Sequence, residues 1–196
     1  MSYKIDRRIK KSKAALKKAY IILMEQFTDQ EITVSMIAQY AELNRSTFYT
    51  YYSNKEELLE EILCDVLEGL KSAIMLPFHV SETINVNKQA PTTVLIFEYI
   101  ESKKRIFYAL YHGHADFKTK LEQLFYSIFS EDIKMEMESS IGEVNYDIFL
   151  RYQTNATLGL IFYWIENNFS YSAKFMMDQL TVFSNTQIIN LRKIQN

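Results

Sequence analysis

The sequence predicts an all-α fold of about nine helices, and three observations favour this fold class. Glycine and proline are rare, with four and two among 196 residues, so long helices joined by short links are favoured over a β-sandwich or a nucleotide-binding α/β fold. Apolar residues recur at helical spacing through most of the chain. Hydrophobic residues make up 48% of the sequence, which is enough to fill a core.

The basic charge of the chain is concentrated at its N-terminal end. Residues 1–18 contain eight lysines and arginines and one aspartate, although the net charge of the whole chain is −2. A basic end on an acidic body is typical of a DNA-contacting end, and equally of a solvated arm. No apolar leader is visible, and no run approaches the roughly 18 apolar residues of a membrane span. We therefore expect a cytoplasmic protein without membrane contact, and the single cysteine, Cys64, excludes an intrachain disulfide.

The first two helices are predicted near the N-terminus. Apolar residues at helical spacing predict the first helix over about residues 10–27. The second begins after Thr33, whose hydroxyl is a good N-cap, and ends near residue 41. Ile32 and Ile37 stand at the N′ and N4 positions of a hydrophobic staple, which sets the angle at which the chain enters this helix.

Two more helices follow a short turn. Asn44 is the expected N-cap of a third helix over about residues 45–52. Asn54 opens a long fourth helix, which runs to about residue 76. That helix stops at Pro77, because proline cannot continue it.

The rest of the chain predicts five further helices. Asp116 and Ser170 are the expected N-caps of the seventh and ninth helices. Residues 55–196 then form a C-terminal helical domain behind an N-terminal domain of residues 1–54. The five predicted helices span about residues 92–102, 103–111, 117–129, 145–167 and 171–194.

The first three helices have the arrangement of a helix-turn-helix, in which two short helices joined by a tight turn follow a longer one. The second helix of the pair enters a major groove about 12 Å wide, so its outward side must be polar. Residues 45–52 satisfy this requirement if Phe48 faces inward. Tyr51, Tyr52 and Lys55 can reach backbone phosphates, although one of the two tyrosines can instead pack. The expected DNA-contact residues are Thr33, Asn44, Arg45, Ser46, Thr47, Tyr49, Thr50, Tyr51, Tyr52 and Lys55.

Residues 32–58 resemble the DNA-binding signature of the TetR family of regulators. Two positions depart from the family's pattern. Glu42 stands where the family usually has glycine, in a turn that favours positive φ, so we expect a strain of roughly 1 kcal/mol there. Ser53 stands where proline is usual, and neither change removes a DNA contact. The matching residues are Thr33-Val34, Ile37-Ala38, Ala41, Arg45, Thr47-Phe48-Tyr49, Tyr52 and Lys55-Glu56-Glu57-Leu58.

The resemblance implies a sequence-specific transcriptional regulator, by default a homodimeric repressor that an effector releases from a pseudo-palindromic DNA operator. Residues 159–166, with Ser170 and Met176, are similar to the last two helices of dihydroxyacetone-kinase regulators. In the TetR family the last two helices of each subunit form a four-helix interface, and the small residues Ala156 and Gly159 permit close helix approach. The alternative is that both helices are ordinary core. The expected interface residues are Ala156, Gly159, Tyr163, Met176, Leu180, Phe183, Gln187 and Leu191.

The family also implies a small-molecule effector among the central helices. Aromatic side chains can supply apolar walls and hydroxyl anchors there, which favours an aromatic or apolar effector. The alternative is that most of these residues belong to the core. The expected lining residues are Phe97, Tyr108, Tyr111, Phe125, Phe129 and Tyr152.

Two other classes of function compete with DNA binding. His112 and His114 suggest a metal site, but no third ligand stands at metal-site spacing and no catalytic motif is present, so we expect no metal, no cofactor and no enzyme. The stronger rival is a co-regulator that acts through protein–protein contacts with little DNA readout of its own. Such a chain would be expected to lose Arg45, Tyr49 or Lys55, and all three are present.

Overall fold

The computed structural model describes residues 2–84, 91–136 and 142–184, and within these ranges the chain forms nine α-helices and no strand. A 3₁₀ turn, Leu76–His79, follows the fourth helix, and a π-helical turn, Ile128–Asp132, extends the seventh. The predicted all-α fold class is confirmed. The helices are α1 Ser2–Met24, α2 Val34–Tyr40, α3 Arg45–Tyr49, α4 Lys55–Met75, α5 Pro91–Ser102, α6 Lys104–Gly113, α7 Phe117–Ser127, α8 Tyr146–Glu166 and α9 Ala173–Ser184.

The ends of α1 differ from the prediction. The helix begins at Ser2 instead of near residue 10, and its first turns are dominated by lysine and arginine, so apolar spacing does not reveal them. It ends at Met24 instead of near Phe27. The backbone N–H of Phe27 bonds to the Leu23 carbonyl at 2.9 Å in a closing turn, and the Phe27 side chain is left 39% exposed.

The start of α2 agrees with the prediction, and the start of α3 agrees only in position. The Thr33 hydroxyl accepts a hydrogen bond of 3.3 Å from the Met36 N–H. Ile32 and Ile37 are both buried, as a hydrophobic staple requires. Asn44 occupies the N-cap position of α3, but its side chain makes no capping hydrogen bond and is exposed, so the capping prediction is wrong there.

Helix α3 is followed by a turn before the long helix α4 begins. α3 stops at Tyr49 rather than near residue 52, and the Tyr52 N–H bonds back to the Phe48 carbonyl at 3.0 Å. Asn54 then caps α4, because its Oδ1 accepts a hydrogen bond of 2.8 Å from the Glu57 N–H. This confirms the predicted start of the fourth helix.

α4 lies at the centre of the molecule and contacts α1, α5 and α7. Leu70 of α4, Phe97 of α5 and Trp164 of α8 are fully buried. The rings of Phe97 and Trp164 meet edge to face at 5.6 Å, and the indole N–H of Trp164 donates a hydrogen bond of 2.9 Å to the Tyr171 carbonyl. A buried indole with a satisfied N–H thereby joins α5, α8 and the segment that leads into α9.

Several helix ends in the second half differ from the prediction. α6 continues to Gly113. Asp116 precedes α7 but makes no side-chain capping bond. Ser172, not Ser170, caps α9, because the Ser172 Oγ accepts a hydrogen bond of 3.2 Å from the Phe175 N–H. Asn168 and Phe169, in the link between α8 and α9, have positive φ values, and α9 begins after them at Ala173.

Candidate nucleic-acid interface

The turn between α2 and α3 fixes the two helices against each other. Glu42 has a φ of 54°, in the left-handed region expected from the glycine that usually stands there. The N–H of Leu43 bonds to the Ala38 carbonyl at 2.9 Å, which closes the turn. On the inner side of α3, Phe48 is fully buried, and its ring lies 5.6 Å from the ring of Tyr52. One side of α3 is therefore anchored, and the other faces outward.

The outward side of α3 carries the expected reading residues. Thr47 and Tyr51 are half-buried at its edges. Arg45 and Tyr49 contact each other: the Arg45 Nη2 donates a hydrogen bond of 3.1 Å to the Tyr49 hydroxyl, and the guanidinium carbon lies 5.4 Å from the ring centroid. The exposed members of the predicted group are Thr33, Asn44, Arg45, Ser46, Tyr49 and Thr50.

Tyr52 does not join this surface, so its assignment to phosphate binding is corrected. The side chain is 2% exposed, and the Lys13 Nζ of α1 lies 5.0 Å from its ring centroid. Burial, with the nearby carboxylate of Glu61, raises the pKa of the Tyr52 hydroxyl. Of the two adjacent tyrosines, Tyr52 is thus the one that packs, because it contacts α1 while Tyr51 stays at the edge of α3.

Lys55 is also placed differently from the expectation. Its side chain is only 16% exposed, and its ammonium is bound by the carbonyl of Asp29 and lies 3.3 Å from the Asp29 Oδ2. The partner stands 26 residues earlier in the chain. The positive charge of Lys55 is therefore compensated inside the protein in this conformation.

The basic N-terminal region is divided between solvent and the body. Residues 7–11 of α1 are exposed. Lys13 and Lys17 turn towards α4 instead, where the Lys13 Nζ lies 2.7 Å from the Glu61 Oε2 and the Lys17 Nζ lies 2.5 Å from the Asp65 Oδ2. These two lysines join α1 to α4, and the basic side chains of residues 7–11 face solvent.

The six aromatic residues expected to line an effector pocket are divided between core and surface. Phe97 and Phe125 are fully buried, and Tyr111 is 9% exposed. Tyr108 and Phe129 are half-buried. Tyr152, by contrast, is 67% exposed on α8. Core packing therefore explains the buried members, as the alternative interpretation held, and Tyr152 faces outward.

A cavity of about 290 Å³ that is open to solvent lies between α7 and α8; its lining residues all carry polar groups, and one of them, Tyr126, is aromatic. Within the described part of the chain, the buried hydroxyl of Thr154 on this wall has no hydrogen-bond partner. Four of the lining residues recur along α7 at helical spacing, and this polar pattern is the sequence signal for the cavity wall. The lining residues are Thr119, Glu122, Gln123, Tyr126, Arg151, Thr154 and Asn155.

The expected interface residues of α8 and α9 are only partly on the surface. Tyr163 and Phe183 are 49% and 52% exposed. Ala156 and Gly159 are also exposed, and Leu180 is half-buried. Met176 is 2% exposed and belongs to the core of the chain, so its assignment to an interface is corrected. The two remaining members of the set, Gln187 and Leu191, lie outside the described residues.

The two histidines near the end of α6 have local partners. The ring of His112 lies 4.4 Å from the ring of Tyr108, and the His114 Nδ1 accepts a hydrogen bond of 3.2 Å from the Asp116 N–H. Among the residues that the structure describes, no three histidine, cysteine or acidic side chains come together as metal ligands. Over the same ranges, no helix has both the length and the apolar character needed to cross a membrane.

Two segments of the chain match known protein families. Residues 30–62, which hold α2, α3 and the first turns of α4, match the bacterial regulatory proteins of the tetR family. Residues 87–186 match a transcriptional regulator C-terminal region. The chain belongs to the TetR family. The matched residues contain the helix-turn-helix, in which α3 is the second helix and has an exposed polar side.

Curated relatives are regulators of the same type. The uncharacterized HTH-type transcriptional regulator YxbF of Bacillus subtilis (strain 168) is 24% identical over 159 residues, which cover 80% of this chain and 40% of that protein. The uncharacterized HTH-type transcriptional regulator YhgD of the same strain is 35% identical over 60 residues, which cover 28% of this chain and 31% of that protein. The chain therefore spans well under half the length of these relatives.

Solved structures with the same fold cover nearly the whole chain. A TetR transcriptional regulator from Streptococcus agalactiae 2603V superposes with a TM-score of 0.64 at 19% identity, covering 93% of this chain and 98% of that one. The dihydroxyacetone kinase operon activator DhaS superposes with a TM-score of 0.59 at 19% identity, covering 88% of this chain and 93% of that one. The shared feature is the all-helical fold.

Proposed function

We propose that this TetR-family protein is a sequence-specific homodimeric repressor, which binds a pseudo-palindromic operator and is released by a small effector. The observation that carries the proposal is α3, which is anchored by the buried Phe48 and presents polar side chains outward. We assign the contacts with base edges to Arg45 and Ser46, and Thr47 adds a methyl group at the edge of the helix. Residues 1–54 form the DNA-binding domain and residues 55–196 the dimerisation and effector domain.

The phosphate contacts are assigned to residues around this reading surface. Thr33 lies exposed at the start of α2, and Asn44 lies exposed at the start of α3. Tyr49, Thr50 and the half-buried Tyr51 carry hydroxyls at the other end of α3. Hydroxyl and amide groups at these places can donate to phosphate oxygens and set the register of the helix on the duplex.

A homodimer is favoured by an exposed stripe along α8. Ile148 and Tyr152 are each 67% exposed, although apolar or aromatic side chains of this size are usually covered. Ala156, Gly159 and Tyr163 continue the same stripe at helical spacing. A second copy of the chain would cover it and place two reading helices on one face of the duplex, about one helical turn of 34–36 Å apart.

The effector is assigned to the polar cavity between α7 and α8. The unpaired buried hydroxyl of Thr154 would gain a partner from a bound polar molecule, since an unsatisfied buried polar group costs about 1–3 kcal/mol. Glu122 and Arg151 give the wall both signs of charge. A small polar molecule, such as an amino acid or hydroxy acid, therefore suits the cavity better than the aromatic effector that the sequence favoured.

The effector assignment is tested by a thermal-shift screen of amino acids and hydroxy acids, followed by operator release with each hit. Thr154→Val keeps the shape of the wall and removes its hydroxyl, so it should weaken the response to a true ligand about tenfold. Lys174→Met, which changes an exposed side chain of α9, is the control. A hit that acts equally on the wild type and on Thr154→Val does not bind in this cavity.

DNA binding is tested by fluorescence anisotropy against the gene's own upstream DNA, at two salt concentrations and with random DNA as competitor. Specific binding that survives the competitor supports the regulator with its own operator. Weak binding that salt abolishes supports instead the co-regulator, which acts through protein contacts. A reporter gene behind the bound promoter then shows whether occupancy represses transcription, as we propose, or activates it.

A further inference from the structure

A cluster of polar side chains joins three elements of the DNA-binding domain. The Lys55 ammonium at the first residue of α4 binds both the carbonyl and the carboxylate of Asp29. The other carboxylate oxygen, Oδ1, accepts a hydrogen bond of 2.5 Å from the hydroxyl of Tyr20 on α1. Tyr20 is fully buried, and burial together with the Asp29 contact raises the pKa of its hydroxyl. Asp29 therefore binds α1 and α4 at once.

The turn that carries Asp29 is itself closed by hydrogen bonds. The N–H and the hydroxyl of Thr28 donate to the Glu31 Oε2 at 2.8 and 2.7 Å. The Asp29 carbonyl also accepts a hydrogen bond of 3.3 Å from the Ile32 N–H. The acceptor that holds Lys55 thus belongs to an ordered turn directly before α2, and Ile32 is buried beneath it.

We infer that Lys55 is a positioning residue for the reading helix instead of a ligand of a DNA phosphate. It ties the start of α4 to the turn before α2, and α3 lies in the chain between those two points. The inference rests on the proposed reading of DNA by α3. To reach a phosphate, the ammonium would have to leave both Asp29 oxygens and its largely covered site, in which the side chain is 16% exposed.

A phosphate-binding role and a positioning role of Lys55 predict different effects on DNA binding. A lysine that contacts a phosphate releases counterions, so its loss weakens binding to all sequences alike and lowers the salt slope by about 0.9 unit. A lysine whose charge Asp29 already compensates contributes little to the slope. Its loss lets α3 shift, which weakens the operator complex and leaves non-specific binding nearly unchanged.

The experiment compares Lys55→Met and Asp29→Asn with Lys174→Met, which removes one exposed positive charge from α9 and controls for the charge lost in Lys55→Met. For both Lys55→Met and Asp29→Asn we expect operator affinity to fall about tenfold, random-DNA affinity to change less than about twofold, and the salt slope to stay that of the wild type. Lys55→Arg, which keeps the charge, should recover part of the operator affinity. The positioning role is overturned if Lys55→Met lowers the slope by about 0.9 unit and weakens random DNA equally, or if Asp29→Asn tightens binding.

Amide hydrogen exchange of the free protein tests the same role without DNA. In folded Lys55→Met, amides of residues 29–32 and 45–52 should exchange at least about tenfold faster than in the wild type, while those of α8 should not change. Unchanged exchange in the DNA-binding domain would contradict the positioning role. If the wild type shows no operator preference, the proposed function fails, and the exchange measurement alone decides the role of Lys55.

Discussion

The guanidinium of Arg45 donates a hydrogen bond of 3.1 Å to the hydroxyl of Tyr49, one turn further along α3. Both side chains are exposed, and the ring of Tyr49 also meets the buried ring of Phe48 edge to face at 5.6 Å. Tyr49 therefore links the core of the DNA-binding domain to the orientation of an exposed arginine. An arginine whose orientation is already restricted loses less side-chain conformational entropy when it binds a base edge or a phosphate.

We predict that Tyr49→Ala weakens operator binding about tenfold, or roughly 1.4 kcal/mol. The melting temperature should hardly change, because Tyr49 is 47% exposed. The matched control is Tyr171→Ala, which removes a 41% exposed tyrosine from the link before α9. Anisotropy titrations and thermal melts measure both effects. Unchanged operator affinity in a folded Tyr49→Ala protein would show that α3 does not read DNA with this side.

A second prediction concerns the strained turn between α2 and α3. Glu42 has a φ of 54°, a conformation that costs a non-glycine residue about 1 kcal/mol. Glu42→Gly should therefore raise stability by up to about 1 kcal/mol, or about 2–4 °C in melting temperature. Gln39→Gly, at an exposed position inside α2, should lower stability by a similar amount, because glycine is unfavourable there. If both variants lose stability, the strain at Glu42 is not relieved by glycine.

A third prediction uses substitutions at two glycines to distinguish effects on dimerisation from effects on the stability of the single chain. No atom lies within 4 Å of the place a Cβ would take at Gly159, so Gly159→Leu should fold normally. It should nevertheless shift the protein towards monomer in light scattering, because the longer side chain blocks close approach along α8. A Gly159→Leu protein that remains dimeric at the same concentration would place the interface elsewhere.

Gly69 is the contrasting position within the protomer. A Cβ there would collide with the hydroxyl of Tyr99, which donates a hydrogen bond of 3.1 Å to the Val66 carbonyl. Gly69→Ala should therefore cost about 1–3 kcal/mol of unfolding free energy. Chemical denaturation measures this loss. A variant as stable as the wild type would mean that the Tyr99 ring moves aside without cost.

A fourth prediction concerns acid pH and the joint between α1 and α4. Burial disfavours the charged form of Glu61, but hydrogen bonds from Lys13 and Lys17 outweigh it and lower the pKa of this carboxyl below its ordinary 4.5. A lowered pKa in the folded state means that the stabilisation is present above about pH 4.5 and is lost as the pH falls through the folded value.

Glu61→Gln should therefore melt about 2–4 °C below the wild type at pH 7, and the gap should close as the pH falls below 4.5. The control is Glu143→Gln, which changes an exposed carboxyl in the segment before α8. Melting curves between pH 3 and pH 7 measure the gap. A gap that stays constant over this range would mean that the ion pairs of Glu61 do not stabilise the fold.

Local patterns in the sequence determined the fold class and much of the helix-turn-helix. The apolar spacing, the capping hydroxyl of Thr33 and the turn at Glu42 each act within a few residues, so they are readable in one stretch of chain. Phe48, the one large apolar side chain among polar neighbours, likewise indicated which side of α3 is buried.

Only the tertiary structure decided which of the remaining candidates face solvent. Tyr52 is covered because Lys13 of α1 reaches its ring, and Lys55 is held by a turn that lies 26 residues away in the sequence. Met176 is core, and Thr154 lies beside a polar cavity. In each case the group that covers or pairs with the side chain belongs to another helix or turn. The periodicity of a single helix does not specify that distant group, so the sequence alone could not identify it.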